Sequence, residues 1–478
     1  RSSYSSSYLV RPTVYLKADT YLDGGNGSKD NHYRVKLSDN LDGSDANAPT
    51  LTSNMIPVYY DSASDSWKKA DSKNKDKDNQ WYDYDNKMWA NAVTVSSTNR
   101  ETYLKADVGS EIPMDDINTM WVWIPRYTYT YLNTNTPEEI KIKFEKGIAS
   151  SGTIKCTDAI TGTSTTSETC TDSTNGSLKA GTSTYTHPAF TFGDIELTGI
   201  WVGKFENSAT TIPTSSSVDD STIIIKPNVN SLRYKPVSVM FKDIRQMESA
   251  NNIYGFQQSS STTFNWNGNL SGDSNNIDTH MMKNMEWGAV TYLSHSKYGI
   301  NKEVATNSAS TFTTGCGPQS AGSTSIGETC NEYTTVLGQS ASTTGNVYGI
   351  YDMSGGAVEY VMGNMVDSSN KFYLTGAGNW DSTSVIPLSK YYDSYSYGSS
   401  YNTYTRGKLG DATVEMAPTG RSGNWYSKLA QFPYSQFSWF LRGGYYIPSS
   451  TVGGIFYFDG FAGGYDSRGT SRSVLLSK

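Results

Sequence analysis

The chain has 478 residues and a formal net charge of −7, and only 18% of its residues are charged. An acidic balance without clustered Lys and Arg argues against a nucleic-acid partner. No apolar run approaches the roughly 20 residues of a membrane-spanning helix. The 35 tyrosines and 43 glycines, set among Ser, Thr and Asn, point away from disorder and toward a β-rich protein with a neutral, hydroxyl-rich surface of an extracellular kind.

In chain order, residues 1–40 hold TVYLKA and HYRVKL around a DGGNGS turn, which predicts an N-terminal β-hairpin segment. It looks like the closing hairpin of another β-rich domain, as though the chain begins inside a longer protein or donates strands to a neighbour. The chain opens at Arg1 with neither Met nor a signal peptide, which reads as a processed product or a fragment whose targeting segment has already gone. Residues 41–117 contain MIPVYYD and MWANAVTV and are expected to form a small β-rich module, with WKKADSKNKDKDNQW as a solvated loop. MWVWIPRYTYTYL is the strongest strand signal: Trp121, Trp123, Tyr127 and Tyr129 alternate with Val122, Ile124, Arg126 and Thr128, interrupted at Pro125.

A Ser/Thr/Gly-rich insertion follows at about 147–186, and AFTFGDIELTGIWVGKFEN resumes the strands. YKPVSVMFKDIRQMESANNIYG reads as a strand turning into a helix. DTHMMKNMEWGAVTYLSHSKYG predicts the clearest helix, with Met282, Met285, Ala289 and Leu293 near helical spacing, Asp278 or Thr279 as cap, and Gly299 after its end. Beyond Gly345, YGIYDMSGG reads as a strand entering a glycine turn and AVEYV as a second strand. Few helices and many short strands define an irregular α+β or mostly β protein.

The four cysteines form two similar loops. Cys156 and Cys170 bracket TDAITGTSTTSET, and Cys316 and Cys330 bracket GPQSAGSTSIGET, each 13 residues long. Neither loop has zinc spacing or a nearby His, so two local disulfides are expected, each worth about 3 kcal/mol in the chain-entropy model. Persistent disulfides imply an oxidising, extracytoplasmic compartment.

No catalytic motif is visible. The four histidines, His32, His187, His280 and His295, form no ligand pair and are expected as caps or surface residues, and no GxSxG, P-loop or dinucleotide fingerprint occurs. Glu359, in AVEYV, reads either as a solvent-facing Glu or as a calcium ligand beside exposed carbonyls.

The chain resembles the formylglycine-generating-enzyme-like domains of the C-type-lectin fold. GIYDMSGGAVEY is similar to that family's GLYDMxGNVWEW, and FLRGGYY to its vlRGGSw. MWVWIPRYTYT, HPAFTFGDIELTGIWVGKFE, KPVSVMFKDI, MMKNMEWGAV and GTSRSVLL resemble further landmarks in the family's order. The resemblance implies a C-type-lectin-like domain over about 118–478. The family's enzymes carry reactive cysteines between RGG and the final GFR, but 443–473 contains no Cys, so the resemblance implies the scaffold without the oxidase activity. Gly356 stands where the family's calcium-holding Asn would be, leaving Glu359 alone of those side-chain ligands; calcium near Glu359 is the one cofactor the resemblance suggests, and no other metal is expected.

A non-catalytic branch is more similar. In the variable proteins of diversity-generating retroelements, the stretch after RGG is rewritten at AAY codons, whose products exclude Lys, Glu, Gln, Met and Trp. Residues 443–473 contain none of those five. Tyr offers large contact area at low entropy cost, with Ser and Gly adapting around it. The expected ligand surface is therefore Tyr445, Tyr446, Ile447, Ser449 and Tyr457, with Phe461 and Tyr465 as further anchors and Asp459, Asp466 and Arg468 for polar discrimination. Phe456 and Phe458 face either out or into the core, depending on register. Arg442 and Arg472 read as scaffold. The expected protein is a secreted or surface-anchored bacterial or phage adhesin, binding a protein or glycan on another cell or phage surface. The alternative, motivated by residues 1–40, is a self-assembling subunit of an extracellular filament, pilus or surface layer.

Overall fold

The computed structural model describes residues 20–22, 28, 35–37, 43–73, 78–151, 171–172, 176–177, 180–256, 277–369, 371–373, 380, 386–418, 420–421, 424–448 and 451–477. TVYLKA, His32, Cys156, Cys170 and most of the expected insertion at 147–186 lie outside these residues. Two compact units result, Arg1–Asn40 and Leu41–Lys478. In the first, Thr20–Leu22 pairs antiparallel with Val35–Leu37.

The second unit is built on a seven-stranded sheet. Its order is Ile277–Met281, Ser473–Ser477, Gly199–Gly203, Ile117–Pro125, Asn91–Val95, Ile56–Asp61 and Ser66–Lys69. Residues 41–117 thus add strands to a sheet that also holds the chain's last strand, so 41–478 packs as one unit rather than as a small module and a larger domain. The start of the charged WKKADSKNKDKDNQW is the edge strand of that sheet, and Trp67 and Trp81 from its two ends are buried. Ile117–Pro125 is buried on both faces, Asn118 being its one partly exposed residue, and Trp123 faces Trp201 across the register with ring centroids 5.2 Å apart. At Pro125 the chain leaves the long sheet, and Tyr127–Thr130 pairs instead with Ile142–Phe144 and Thr184–Thr186.

A second, smaller sheet carries Asp393–Tyr395, Val358–Met365, Trp439–Arg442 and Phe458–Phe461, with Gly469–Thr470 beside Val358 and Glu359. YGIYDMSGG is not a strand: positive φ at Asp352 (64°), Gly355 (82°) and Gly356 (71°) turns the chain there, and extended pairing starts at Val358.

The helix expected over DTHMMKNMEWGAVTYLSHSKYG is confined to Asn284–Ser294. Asp278 and Thr279 belong to the preceding strand and do not cap it; Glu286 instead accepts the Lys283 amide at 2.8 Å. All eleven residues of this helix are buried, and a Cβ at Gly288 would collide with the Gly410 carbonyl, so glycine sets how closely that loop packs. The second helix, Val237–Arg245, follows Pro236 directly without a preceding strand.

The described histidines are buried rather than surface groups, and two of them are caps: His187 Nδ1 accepts the Ala189 amide at 3.2 Å at the start of the short turn Pro188–Phe190, and His295 closes the helix Asn284–Ser294. His187, His280 and His295 are all buried. His280 lies between Asp278 (3.0 Å) and Glu286 (2.9 Å), which together hold its imidazole above its ordinary pKa against the cost of burial. Cys316 and Cys330 form a disulfide with Cα atoms 5.0 Å apart, as expected for that loop. Among the described residues, no helix is long and apolar enough to cross a membrane. The described fold is mostly β, with few helices and irregular connections.

Candidate ligand-binding cleft

The aromatic stretch 443–468 is slung between the two sheets. Trp439–Arg442 precedes it in the small sheet, and Ser473–Ser477 follows it inside the long sheet. Two buried arginines stand at its ends. Arg472 joins the two sheets: its Nε donates to Glu359 Oε2 at 3.0 Å, its Nη2 makes a second bond to the same carboxylate, and its Nη1 donates to the Gly203 carbonyl at 2.8 Å. Glu359 is therefore not solvent-facing; it is fully buried against a guanidinium. Arg442 lies between the Trp287 and Phe458 rings, each 5.6 Å from its guanidinium.

Strand alternation divides the small sheet into two faces. Phe440, Arg442 and Phe458 point into the core, where Phe458 packs on Phe432 at 5.4 Å. Phe456 is also core, 5.0 Å from Trp425. Leu441, Asp459 and Phe461 point the other way and, with Val358, line a cleft of about 540 Å³.

Six of the expected site residues line this cleft: Tyr445, Tyr457, Asp459, Phe461, Asp466 and Arg468. The others are apart from it. Tyr446 packs on Phe312 at 5.0 Å, Ile447 is half-buried outside the lining, and Tyr465 is 45% exposed and also outside it. Ser449 lies outside the described residues. Tyr457 was expected as an outward anchor, but only 5% of it is exposed. Burial is the main reason that its hydroxyl pKa is driven well above 10, and the hydroxyl donates to Asp459 Oδ2 at 3.2 Å.

The opposite wall comes from residues 401–437: Tyr401, Arg421, Leu429, Gln431, Tyr434 and Phe437. Phe437 stacks on Phe461 at 5.6 Å and 13°, joining the two walls. Sequence reasoning did not place this wall, although YYDSYSYGSSYNTYTR, which contributes Tyr401 to it, is richer in Tyr than the tail. With its amide nitrogen on Asp459 (2.8 Å), Gln431 accepts from the Arg421 guanidinium at 2.9 Å. Arg421 lies over the Tyr401 ring at 5.4 Å and Arg468 over Tyr445 at 5.0 Å. Burial, chiefly, raises the Asp459 pKa above that of an ordinary carboxylate, while the Gly460 amide (2.8 Å) and the Tyr457 hydroxyl oppose the shift.

Aromatic walls, an aliphatic floor and stacked guanidiniums give a surface that can bind an amphipathic group. Among the described residues, no cluster of His, Cys, Asp and Glu is arranged to hold a metal ion.

No family model matches the chain, and no curated protein matches it. Among solved structures the chain is similar to Treponema denticola variable protein 1, with 13% identity over 59% of this chain and 86% of that one, at a TM-score of 0.24. A likeness of that size carries no argument about fold or function.

Proposed function

We propose that this is a non-catalytic ligand-binding protein, secreted or held at a bacterial or phage surface, whose cleft between the tail and residues 401–437 captures its partner. The observation that carries this reading is the cleft itself: about 540 Å³, walled by Tyr and Arg, and mounted on a sheet tied in by a buried ion pair. Tyr and Arg are the residues that dominate binding energy at interfaces. The motif order along 118–478 supports a C-type-lectin-like scaffold. The absence of Lys, Glu, Gln, Met and Trp from 443–473 supports a segment rewritten by a diversity-generating retroelement. No cofactor enters this reading, because a calcium ion at Glu359 would have to displace Arg472.

The test replaces Tyr401, Tyr445 and Arg468 with Ala in the full chain and measures capture of labelled protein on panels of bacterial cells, phage and glycans. Capture should be lost with the melting temperature within a few degrees of the parent. Unfolding of the triple variant, or undiminished capture, would refute the reading. A template repeat and reverse transcriptase beside the coding sequence would support the rewritten segment, and their absence would remove it.

A second reading rests on Arg1–Asn40, which separates from Leu41–Lys478 as its own unit and holds a paired hairpin. Such a unit could donate strands to a neighbouring copy in a filament. Sedimentation at high concentration tests it: a monomer without fibres in micrographs ends this second reading.

A further inference from the structure

The cleft is uneven in what it leaves free. Its two carboxylates are already engaged: Asp459 accepts the Gly460 amide at 2.8 Å and the Tyr457 hydroxyl at 3.2 Å, and Asp466 accepts the Arg468 amide at 2.8 Å. Its two guanidiniums are not used up in this way. Arg421 and Arg468 are exposed, and each guanidinium lies over a Tyr ring, 5.4 and 5.0 Å from the centroid. Contact with an aromatic face leaves a guanidinium's N–H groups available to a carboxylate. Arg468 keeps only a loose contact with Asp466, Nε to Oδ1 3.6 Å, and Arg421 shares the single amide oxygen of Gln431. The aliphatic floor of the cleft comes from Val358, Leu441 and Val452.

The sheet edge in the cleft is also closed. In the edge strand Phe458–Phe461, the Phe458 amide donates to Leu429 at 3.1 Å, its carbonyl accepts from Gln431 at 2.9 Å, and the Gly460 amide is taken by Asp459. An extended peptide cannot add to this edge as a further strand, so recognition runs through side chains. An aliphatic floor suits an apolar side chain better than it suits the hydroxyls of a sugar.

We propose that the cleft takes a surface loop of a protein partner that inserts one apolar side chain flanked by carboxylates, the side chain on the aliphatic floor and the carboxylates on Arg421 and Arg468. This rests on the ligand-binding reading above and gives the partner a chemical class. Tyr and Arg around a desolvated apolar anchor are the usual composition of an interface hot spot.

The probe is a phage-displayed library of disulfide-closed random loops, selected on the full chain, with the enriched loops synthesised and titrated. Enriched loops should place Asp or Glu within two positions of a Leu, Ile, Phe or Met. Their affinity should fall about tenfold or more in the Arg421→Ala/Arg468→Ala double variant. The Arg421→Glu/Arg468→Glu variant should enrich Lys- and Arg-bearing loops instead, and the alanine pair carries the test if the glutamate pair fails to fold. Enriched loops without acidic residues, or loops indifferent to both variants, overturn the proposal and leave the ligand-binding reading standing. Oligosaccharides that bind the cleft while no loop does overturn the protein class. If no loop or oligosaccharide binds and the Tyr401/Tyr445/Arg468 variant captures as well as the parent, the ligand-binding reading falls too.

Discussion

Phe456 and Phe458 and, a few residues away, Tyr445 and Phe461 belong to one Gly- and aromatic-rich tail, yet they do opposite work. The first pair is 0–1% exposed and packs on Trp425, Phe432 and Phe440. The second pair is half-buried and lines the cleft. Composition is the same on both sides; strand alternation and the covering segment 429–437 separate them. The difference teaches that an aromatic-rich segment is not one surface, since part of it anchors the part that lines the cleft.

The comparison can be broken most severely at its anchor. Arg472→Met leaves Glu359 buried without its partner and is expected to cost roughly 3–5 kcal/mol, read as a lower urea midpoint with an unchanged slope. A loss below about 1 kcal/mol would mean that the tail is not held by this pair. Next, Phe458→Ala empties a packed site among Phe432, Phe440 and Arg442 and should cost about 3 kcal/mol in the same assay.

A third expectation concerns pH in the core. Glu415 is buried and accepts from Tyr292 (2.5 Å), Tyr129 (3.2 Å) and the Gly410 amide (2.8 Å). Burial, the largest cause, pushes its pKa from 4.5 up to about 8. The folded state therefore favours the protonated acid. That contribution to stability is complete below pH 4.5 and is lost as pH climbs through about 8. Glu415→Gln, fixed in the neutral form, should flatten this part of the stability profile between those limits. An unchanged slope in chemical denaturation at stepped pH would count against it. The smallest effect is expected on the cleft side: Tyr445→Ser should change stability by no more than about 0.5 kcal/mol while weakening capture. A larger loss would place Tyr445 with the core aromatics.

Much of the fold was legible in short segments whose own pattern was strong. MIPVYYD, MWANAVTV and MWVWIPRYTYTYL carry strands near the places where their β-branched and aromatic residues put them, and Pro125 marks the change of sheet. YGIYDMSGG failed because the positive φ at a non-glycine residue, Asp352, is not announced by residue type. The buried histidines failed for a related reason: His280 is tolerated in the core only because Asp278 and Glu286 meet it there, and Glu286 comes from the next helix. Half of the cleft was legible, because the Tyr- and Arg-bearing tail could be read as a contact surface. The wall from residues 401–437 was not, since no local pattern states that Phe437 will stack on Phe461.

By itself, the sequence determined where several of the strands form, that the 316–330 loop would close as a disulfide, and that the tail concentrates Tyr, Phe and Gly. Those follow from side-chain preferences and short-range spacing. Only the tertiary structure decided which tail aromatics face out, that 41–117 joins the same sheet as the final strand, and that Glu359 meets Arg472 instead of solvent. Each depends on residues distant in the chain sharing a register or a desolvated site, and a one-residue slip of register would have reversed the faces of the small sheet.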